Sequence, residues 1–230
     1  MSKHSWLARA TAALIVLTLA AGMVLWAWGL RTPPFPQPAL TGKVEQRRLD
    51  VGGISRSFLV YVPQHLSDPV PVLLVLHGSA GSAERMRSAT AWAFEQLADR
   101  EGAVVVYPEG FEGHWNDCRK EGDFAAKRLG VDDVSFLRAV VARLSGDPAL
   151  GARQIAAEEV FAAGLSNGGH MALRLALEAP DFVAGVAAIA ASLPVESNSE
   201  CTPSGKAVPV LLLNGDADPI SPYEGGEIWS

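Results

Sequence analysis

Val160-Phe161-Ala162-Ala163-Gly164-Leu165-Ser166-Asn167-Gly168-Gly169-His170-Met171 joins an apolar run to a helical pattern through a G-x-S-x-G turn. The apolar residues suit a strand buried on both faces, and the helical pattern runs from Asn167 to Ala179, where Pro180 stops it. In such an elbow the serine takes a strained backbone conformation, small flanking residues relieve crowding, and the hydroxyl stands out at the C-terminal edge of the sheet. Ser166 is therefore the candidate nucleophile. Its position between a buried strand and a helix separates it from a serine in an ordinary glycine-rich turn.

Outward from the elbow, short β-branched runs alternate with longer helical stretches, the pattern of an α/β fold with a mostly parallel sheet flanked by helices. Strands are predicted at Ser57 to Val62, Val70 to Leu76, Ala103 to Tyr107, Glu159 to Ala163, Val183 to Ala190 and Val208 to Leu213. Helices are predicted at Ala83 to Asp99, Val134 to Ser145 and Asn167 to Ala179. Asp132 and Asp133 precede the second of these and read as N-terminal caps. Glu84, Arg85, Arg87, Glu95, Asp99 and Arg100 read as the water-facing side of an amphipathic helix.

A serine hydroxyl needs a base to become a nucleophile, and acyl transfer needs donors for the developing oxyanion. Val72-Leu73-Leu74-Val75-Leu76 runs straight into His77-Gly78-Ser79-Ala80-Gly81, which places a second oxyanion loop beside the elbow. The expected donors are the backbone N–H of Asn167 and that of Gly78 or Ser79, with His77 bracing the loop. The acid follows the strand Val208 to Leu213, within Asn214-Gly215-Asp216-Ala217-Asp218-Pro219, where spacing leaves both Asp216 and Asp218 available. Trp115 is a candidate for the acyl pocket, with a place in the core as the plainer alternative.

From about Val51 to Gly226 the chain resembles the polyhydroxyalkanoate (polyhydroxybutyrate) depolymerase and feruloyl esterase group of α/β-hydrolases. Leu76-His77-Gly78, Tyr107-Pro108-Glu109-Gly110, Trp115-Asn116-Asp117, Val131-Asp132-Asp133-Val134, Gly164 to Ala172, and Gly215-Asp216-Ala217-Asp218-Pro219-Ile220 with Pro222-Tyr223 carry the resemblance. It implies an exported serine esterase with Ser166 as nucleophile and Asp218 as the acid, cleaving esters of hydroxyalkanoates or of plant phenolic acids without a cofactor. Asn214 stands where the family pattern has histidine, a departure that bears on packing more than on chemistry. The family's catalytic histidine lies several tens of residues beyond the acid. His4, His65, His77, His114 and His170 all precede Asp218. The expectation is thus an α/β-hydrolase domain lacking the C-terminal part that carries the histidine, a fragment of a longer enzyme with a sheet edge and an apolar face left uncovered. The other readings are a membrane-tethered binding module without activity, and a peptidase or lipase of the same fold.

The remainder of the sequence sets the surroundings. Ala10 to Leu30 holds no charged residue and follows Lys3, His4 and Arg9, so residues 1–31 read as a signal anchor or signal peptide, the length favouring the anchor. Residues 32–44 read as a proline-rich spacer and residues 45–230 as the esterase domain, which gives an extracytoplasmic protein, membrane-anchored or secreted. The partners expected are an ester substrate, small or polymeric, and the membrane. A net charge of −6 and the lack of a Lys/Arg-rich run argue against nucleic acid. The scattered histidines show no metal-ligand spacing. Cys118 and Cys201 form an even pair that an oxidising compartment could join.

Overall fold

The computed structural model describes residues 35–226, together with Thr18 and Gly22. The N-terminal anchor or signal segment lies outside the described residues, among which no helix is long and apolar enough to cross a membrane.

The described residues build a seven-stranded sheet in the order β1-β2-β4-β3-β5-β6-β7. Its strands are β1 (Lys43–Val51), β2 (Ile54–Val62), β3 (Val70–Leu76), β4 (Val104–Pro108), β5 (Ile155–Leu165), β6 (Gly185–Ile189) and β7 (Val210–Leu213). The helices are α1 (Ala83–Ala89), α2 (Ala93–Glu101), α3 (Ala125–Arg128), α4 (Asp133–Leu144) and α5 (Asn167–Glu178). β1 and β2 pair antiparallel, as do β2 and β4, while β4-β3-β5-β6-β7 is parallel throughout. The sheet therefore changes direction between β2 and β4, and all five parallel strands end on the side that carries Ser166.

Strand β1 extends the sequence prediction. Lys43-Val44-Glu45-Gln46-Arg47-Arg48-Leu49 is largely polar, and it pairs because Gly52-Gly53, with φ of 59° and 79°, closes a two-residue hairpin onto β2. The predicted helix Ala83 to Asp99 is two helices. Ala91 and Trp92 take positive φ (51° and 55°) and break it. The reading of this charged face as solvated holds for the exposed Glu84, Arg85 and Arg100 and is corrected at Arg87 and Glu95. The break lets Arg87 on α1 and Glu95 on α2 converge in the interior, where the wholly buried Glu95 carboxylate accepts from Arg87 Nε (2.7 Å) and from the Tyr107 hydroxyl. Asp99 likewise accepts from the Tyr61 hydroxyl.

Packing follows burial on two faces. Phe136, Leu137, Val140 and Leu144 of α4 meet Met171 and Leu175 of α5 against Val72, Leu74, Val104 and Val106. On the opposite face Ala83, Met86 and Ala98 cover Val75, Val105 and Tyr107. Asp132 caps α4 by accepting from Ser135 N–H (2.9 Å). Asp133 opens the helix as an acidic first-turn residue, as expected, and it is also buried, bonding Arg56 at 2.7 Å and accepting from Asn116 N–H at 2.7 Å. Beyond β6 the covering stops. Val210, Leu211, Leu212 and Leu213 of β7 are 46–62% exposed, and Phe161 is exposed on β5, on the other side of β6.

Cys118 and Cys201 form a disulfide, closing a loop across 83 positions of sequence and tying the segment after Trp115 to the one before β7. Around it Glu200 N–H donates to Cys118 O, and Lys127 pairs with Glu200. A constraint over so long a loop acts mainly on the unfolded chain, so Cys118→Ser with Cys201→Ser is expected to lower unfolding free energy by about 2–4 kcal/mol. Urea denaturation of the two proteins, each with and without reductant, measures it; reductant should then move only the unmodified protein.

Candidate active site

Ser166 lies between β5 and α5 with φ 53° and ψ −119°, a conformation that a side chain with Cβ adopts only under constraint. The constraint is visible around it. Ser166 N–H donates to Ile189 O at 2.8 Å, and His170 N–H donates back to Ser166 O at 2.9 Å. Crossing of the turn is so close that a Cβ on Gly164 would stand 2.1 Å from Gly168 O, and one on Gly168 would stand 2.3 Å from Leu76 O. The hydroxyl of Ser166 has no hydrogen-bond partner among the described residues and opens into a cleft of about 760 Å³.

The loop after β3 brings Ser79 to the same cleft. Gly110 N–H donates to His77 Nε2 (2.9 Å), so that nitrogen is unprotonated and Nδ1–H donates to Gly78 O (2.8 Å). Burial pushes the His77 imidazole below its usual range, which keeps this neutral form. Gly81 N–H also donates to Gly78 O (3.1 Å). Across a trans peptide the N–H points opposite to the carbonyl, so anchoring Gly78 O turns the Ser79 N–H the other way, free of partners among the described residues. Gly78 itself stays close, since a Cβ there would meet Leu165 O at 3.3 Å and Ser166 Cβ at 3.6 Å. At the first position of α5 the Asn167 N–H has no acceptor within the helix. Ser79 and Asn167 thus each keep a backbone N–H without a partner among the described residues.

Asn167 does more with its side chain than spacing suggests. Its Oδ1 accepts from Trp115 N–H (2.8 Å), and its Nδ2 donates to Trp115 O (3.0 Å) and Asp117 Oδ2 (2.6 Å). Trp115 therefore corrects its assignment to the acyl pocket. Its ring is fully buried in the core and its Nε1–H donates to His77 O (2.8 Å), so it braces the oxyanion loop from behind. Burial alone would raise the Asp117 carboxyl; Arg119, bonded through Nε and Nη2, overrides that and holds it below the usual range.

Asp218 lines the cleft with Ser166, and Asp216 does not. The Asp218 carboxyl is lowered by the N–H groups of Ser221 (3.0 Å) and Ile220 (2.8 Å), both donating to Oδ1, which leaves Oδ2 without a partner among the described residues. Asn214 fills a packing role, bonding Ala191 N–H and Ala191 O across the ends of β6 and β7. No imidazole nitrogen bonds Ser166 among the described residues. His114 stacks on Phe124 at 5.0 Å between centroids, and His170 Nδ1 lies 2.8 Å from Ser192 O. The cleft wall made by Glu112, Arg119, Phe124 and Arg128 was not foreseen, because these residues converge from loops whose spacing has no period.

Ser166, Ser79 and the Asp218 carboxylate thus share one cleft, in a fold that known proteins also show. The crystal structure of native pOPH superposes with a TM-score of 0.59 at 21% identity, covering 80% of this chain and 72% of that one. That of a thermostable esterase superposes at 0.56 and 18% identity, covering 80% and 49%. The fold is that of the α/β-hydrolases. Residues 138–229 of the chain match the family profile Phospholipase/Carboxylesterase. It is 37% identical over 198 residues to a putative esterase, NocK, of Nocardia uniformis subsp. tsuyamanensis, covering 84% of this chain and 54% of the relative. It is 28% identical over 158 residues to a feruloyl esterase B of Piromyces equi, covering 68% and 27%. The chain thus spans about half the length of the first relative and a quarter of the second.

Burial pushes the His170 imidazole down to about 4. An unfolded chain protonates this ring near 6.5, so between those values the unfolded state binds more protons and the folded state loses stability as pH falls. The contribution is about 3 kcal/mol by pH 4. Urea midpoints measured between pH 7.5 and 4 should fall more steeply for the unmodified protein than for His170→Gln.

Proposed function

We propose that this α/β-hydrolase is an exported serine carboxylic-ester hydrolase working through an acyl-enzyme on Ser166. The observation that carries the proposal is the placement of the strained Ser166, its hydroxyl unpartnered, on one cleft with Ser79 and Asp218. Ser166 Oγ attacks the ester carbonyl carbon while an imidazole takes its proton. The N–H groups of Ser79 and Asn167 hold the oxyanion, and the imidazole returns the proton to the departing alcohol as the carbon–oxygen bond breaks. Water repeats the sequence on the acyl-serine and releases the acid. In this proposal Asp218 Oδ2 orients the imidazole. Resemblance to polyhydroxybutyrate depolymerases and feruloyl esterases, and the esterase names of both relatives, favour an ester over a peptide substrate. Export is supported by the Cys118–Cys201 bond, which persists in oxidising compartments.

The test sets short acyl esters, feruloyl esters and peptides side by side in imidazole buffer, which supplies a base from solution, and treats the protein with a fluorophosphonate. Ester turnover above the buffer rate, with the phosphonate bonded to Ser166, is the expected result. Peptide cleavage without ester turnover would favour a peptidase. A folded protein that neither turns over nor labels would favour a binding module.

A further inference from the structure

His170 stands one turn along α5 from Ser166, and its two ring nitrogens have different surroundings. Nδ1 lies 2.8 Å from Ser192 O, an atom that can only accept, so Nδ1 carries the proton. Burial keeps the ring neutral, which leaves Nε2 as a bare acceptor. Nε2 has no partner among the described residues. It is not sealed in either, because Asn116 Oδ1 is the one fully enclosed side-chain polar atom without a partner among them. His170 is only 5% exposed, and it lines the cleft that holds Ser166. An unsatisfied acceptor therefore faces the place where an ester would lie.

Arg119 lines the same cleft. Its Nε and Nη2 are committed to Asp117 (3.0 and 2.6 Å), while Nη1 has no partner among the described residues. The other charged side chains of the cleft are Glu112, Glu121, Asp123, Asp218 and Arg128, and Arg128 is already paired with Asp123. A carboxylate ligand would meet these acids, and it offers no proton to Nε2. An ammonium would donate to Nε2 but be repelled by Arg119. A hydroxyl is uncharged, donates once and accepts at the same atom.

We propose that His170 Nε2 and Arg119 Nη1 form a subsite that recognises a free hydroxyl on the ester substrate, in either its acyl or its alcohol part. The proposal rests on the reading of this cleft as the ester site and adds to it a residue that selects substrate without taking part in the proton transfers.

The experiment reads binding, so it does not depend on turnover. Ser166→Ala protein is titrated calorimetrically with ethyl butyrate against ethyl 3-hydroxybutyrate, and with propyl butyrate against glycerol monobutyrate. In at least one pair the hydroxylated ester should bind roughly five- to tenfold tighter. The pair that shows it identifies the part of the substrate carrying the hydroxyl. Two variants then separate the role of Nε2 from that of Nδ1. His170→Asn keeps a donor for Ser192 O but puts nothing at the Nε2 position, and should cut the preference to less than twofold. His170→Gln puts an amide oxygen there and should keep at least half of it. Melting curves confirm that both variants fold. No preference in either pair, or a preference that survives His170→Asn, would overturn the proposal. If the protein labels at Ser166 and hydrolyses esters without such a preference, only the subsite fails. If the preference is present but turnover and labelling are absent, the esterase reading fails instead.

Discussion

Ser166→Ala is expected to reduce ester turnover in imidazole buffer by at least about a thousandfold while leaving thermal unfolding unchanged. Both halves follow from the same geometry. The hydroxyl makes no hydrogen bond among the described residues, so removing it leaves no buried group unsatisfied. Alanine inherits the φ of 53° with the Cβ already present in serine, so backbone strain is also unchanged. Stabilisation of the folded state is thus independent of Oγ, whereas bond formation to the substrate depends on it entirely in the proposed mechanism. Ser166→Gly sharpens the test. Without Cβ the residue adopts positive φ at little cost, so the variant should be inactive yet equal or slightly more stable, by up to about 1 kcal/mol. Initial rates with a short acyl ester and melting temperatures of the three proteins give the comparison. A variant that melts well below its parent would mean that Oγ holds the turn together, and the nucleophile would have to be sought elsewhere.

The parts of this site that could be read from sequence are those encoded locally. The elbow needs a buried strand, small residues on both sides of the serine and a helix, all within Val160 to Ala179, and each of these leaves a mark in composition. The loop that carries Ser79 to the cleft is equally local, running directly out of Leu76. Asp218 is intermediate: spacing left it level with Asp216, the family resemblance favoured it, and it alone of the two lines the cleft. What stayed hidden depends on distant partners. Glu95 looks like a surface residue until Tyr107 and Arg87 are seen to surround it, a convergence that depends on the break at Ala91 and Trp92. Trp115 was open to a place in the pocket or in the core, and what decides for the core, its indole N–H bonding His77 O, lies 38 positions away. Asn167 could be expected to offer its backbone; that its side chain ties down Asp117, 50 positions away, could not. β1 was missed because an edge strand needs apolar residues on one face only, and Lys43 to Val51 is too polar to show even that alternation.

Gly168→Ala is expected to prevent folding, or to cost about 4 kcal/mol or more where soluble protein is obtained. The added methyl carbon would lie 2.3 Å from Leu76 O and 2.5 Å from His77 O, well inside contact distance, and both obstacles are backbone at the end of β3. Neither can move freely. Leu76 pairs with Gly164 on β5, and the carbonyl of His77 accepts the Trp115 indole N–H. Relief would therefore require α5 to lift from the sheet, which would pull the Asn167 N–H away from Ser79 and uncover Met171 and Leu175. A control separates this crowding from the general effect of losing a glycine. Gly146 has φ 79° with nothing within 4 Å of an added Cβ, so Gly146→Ala carries backbone strain alone and should cost about 1 kcal/mol. Soluble yield and urea unfolding of both variants distinguish the cases. Equal losses would show that α5 is not pressed against the end of β3. A large loss at Gly168 beside a small one at Gly146 would show that the approach of helix to sheet, and not the turn's backbone angles alone, holds Ser166 in place.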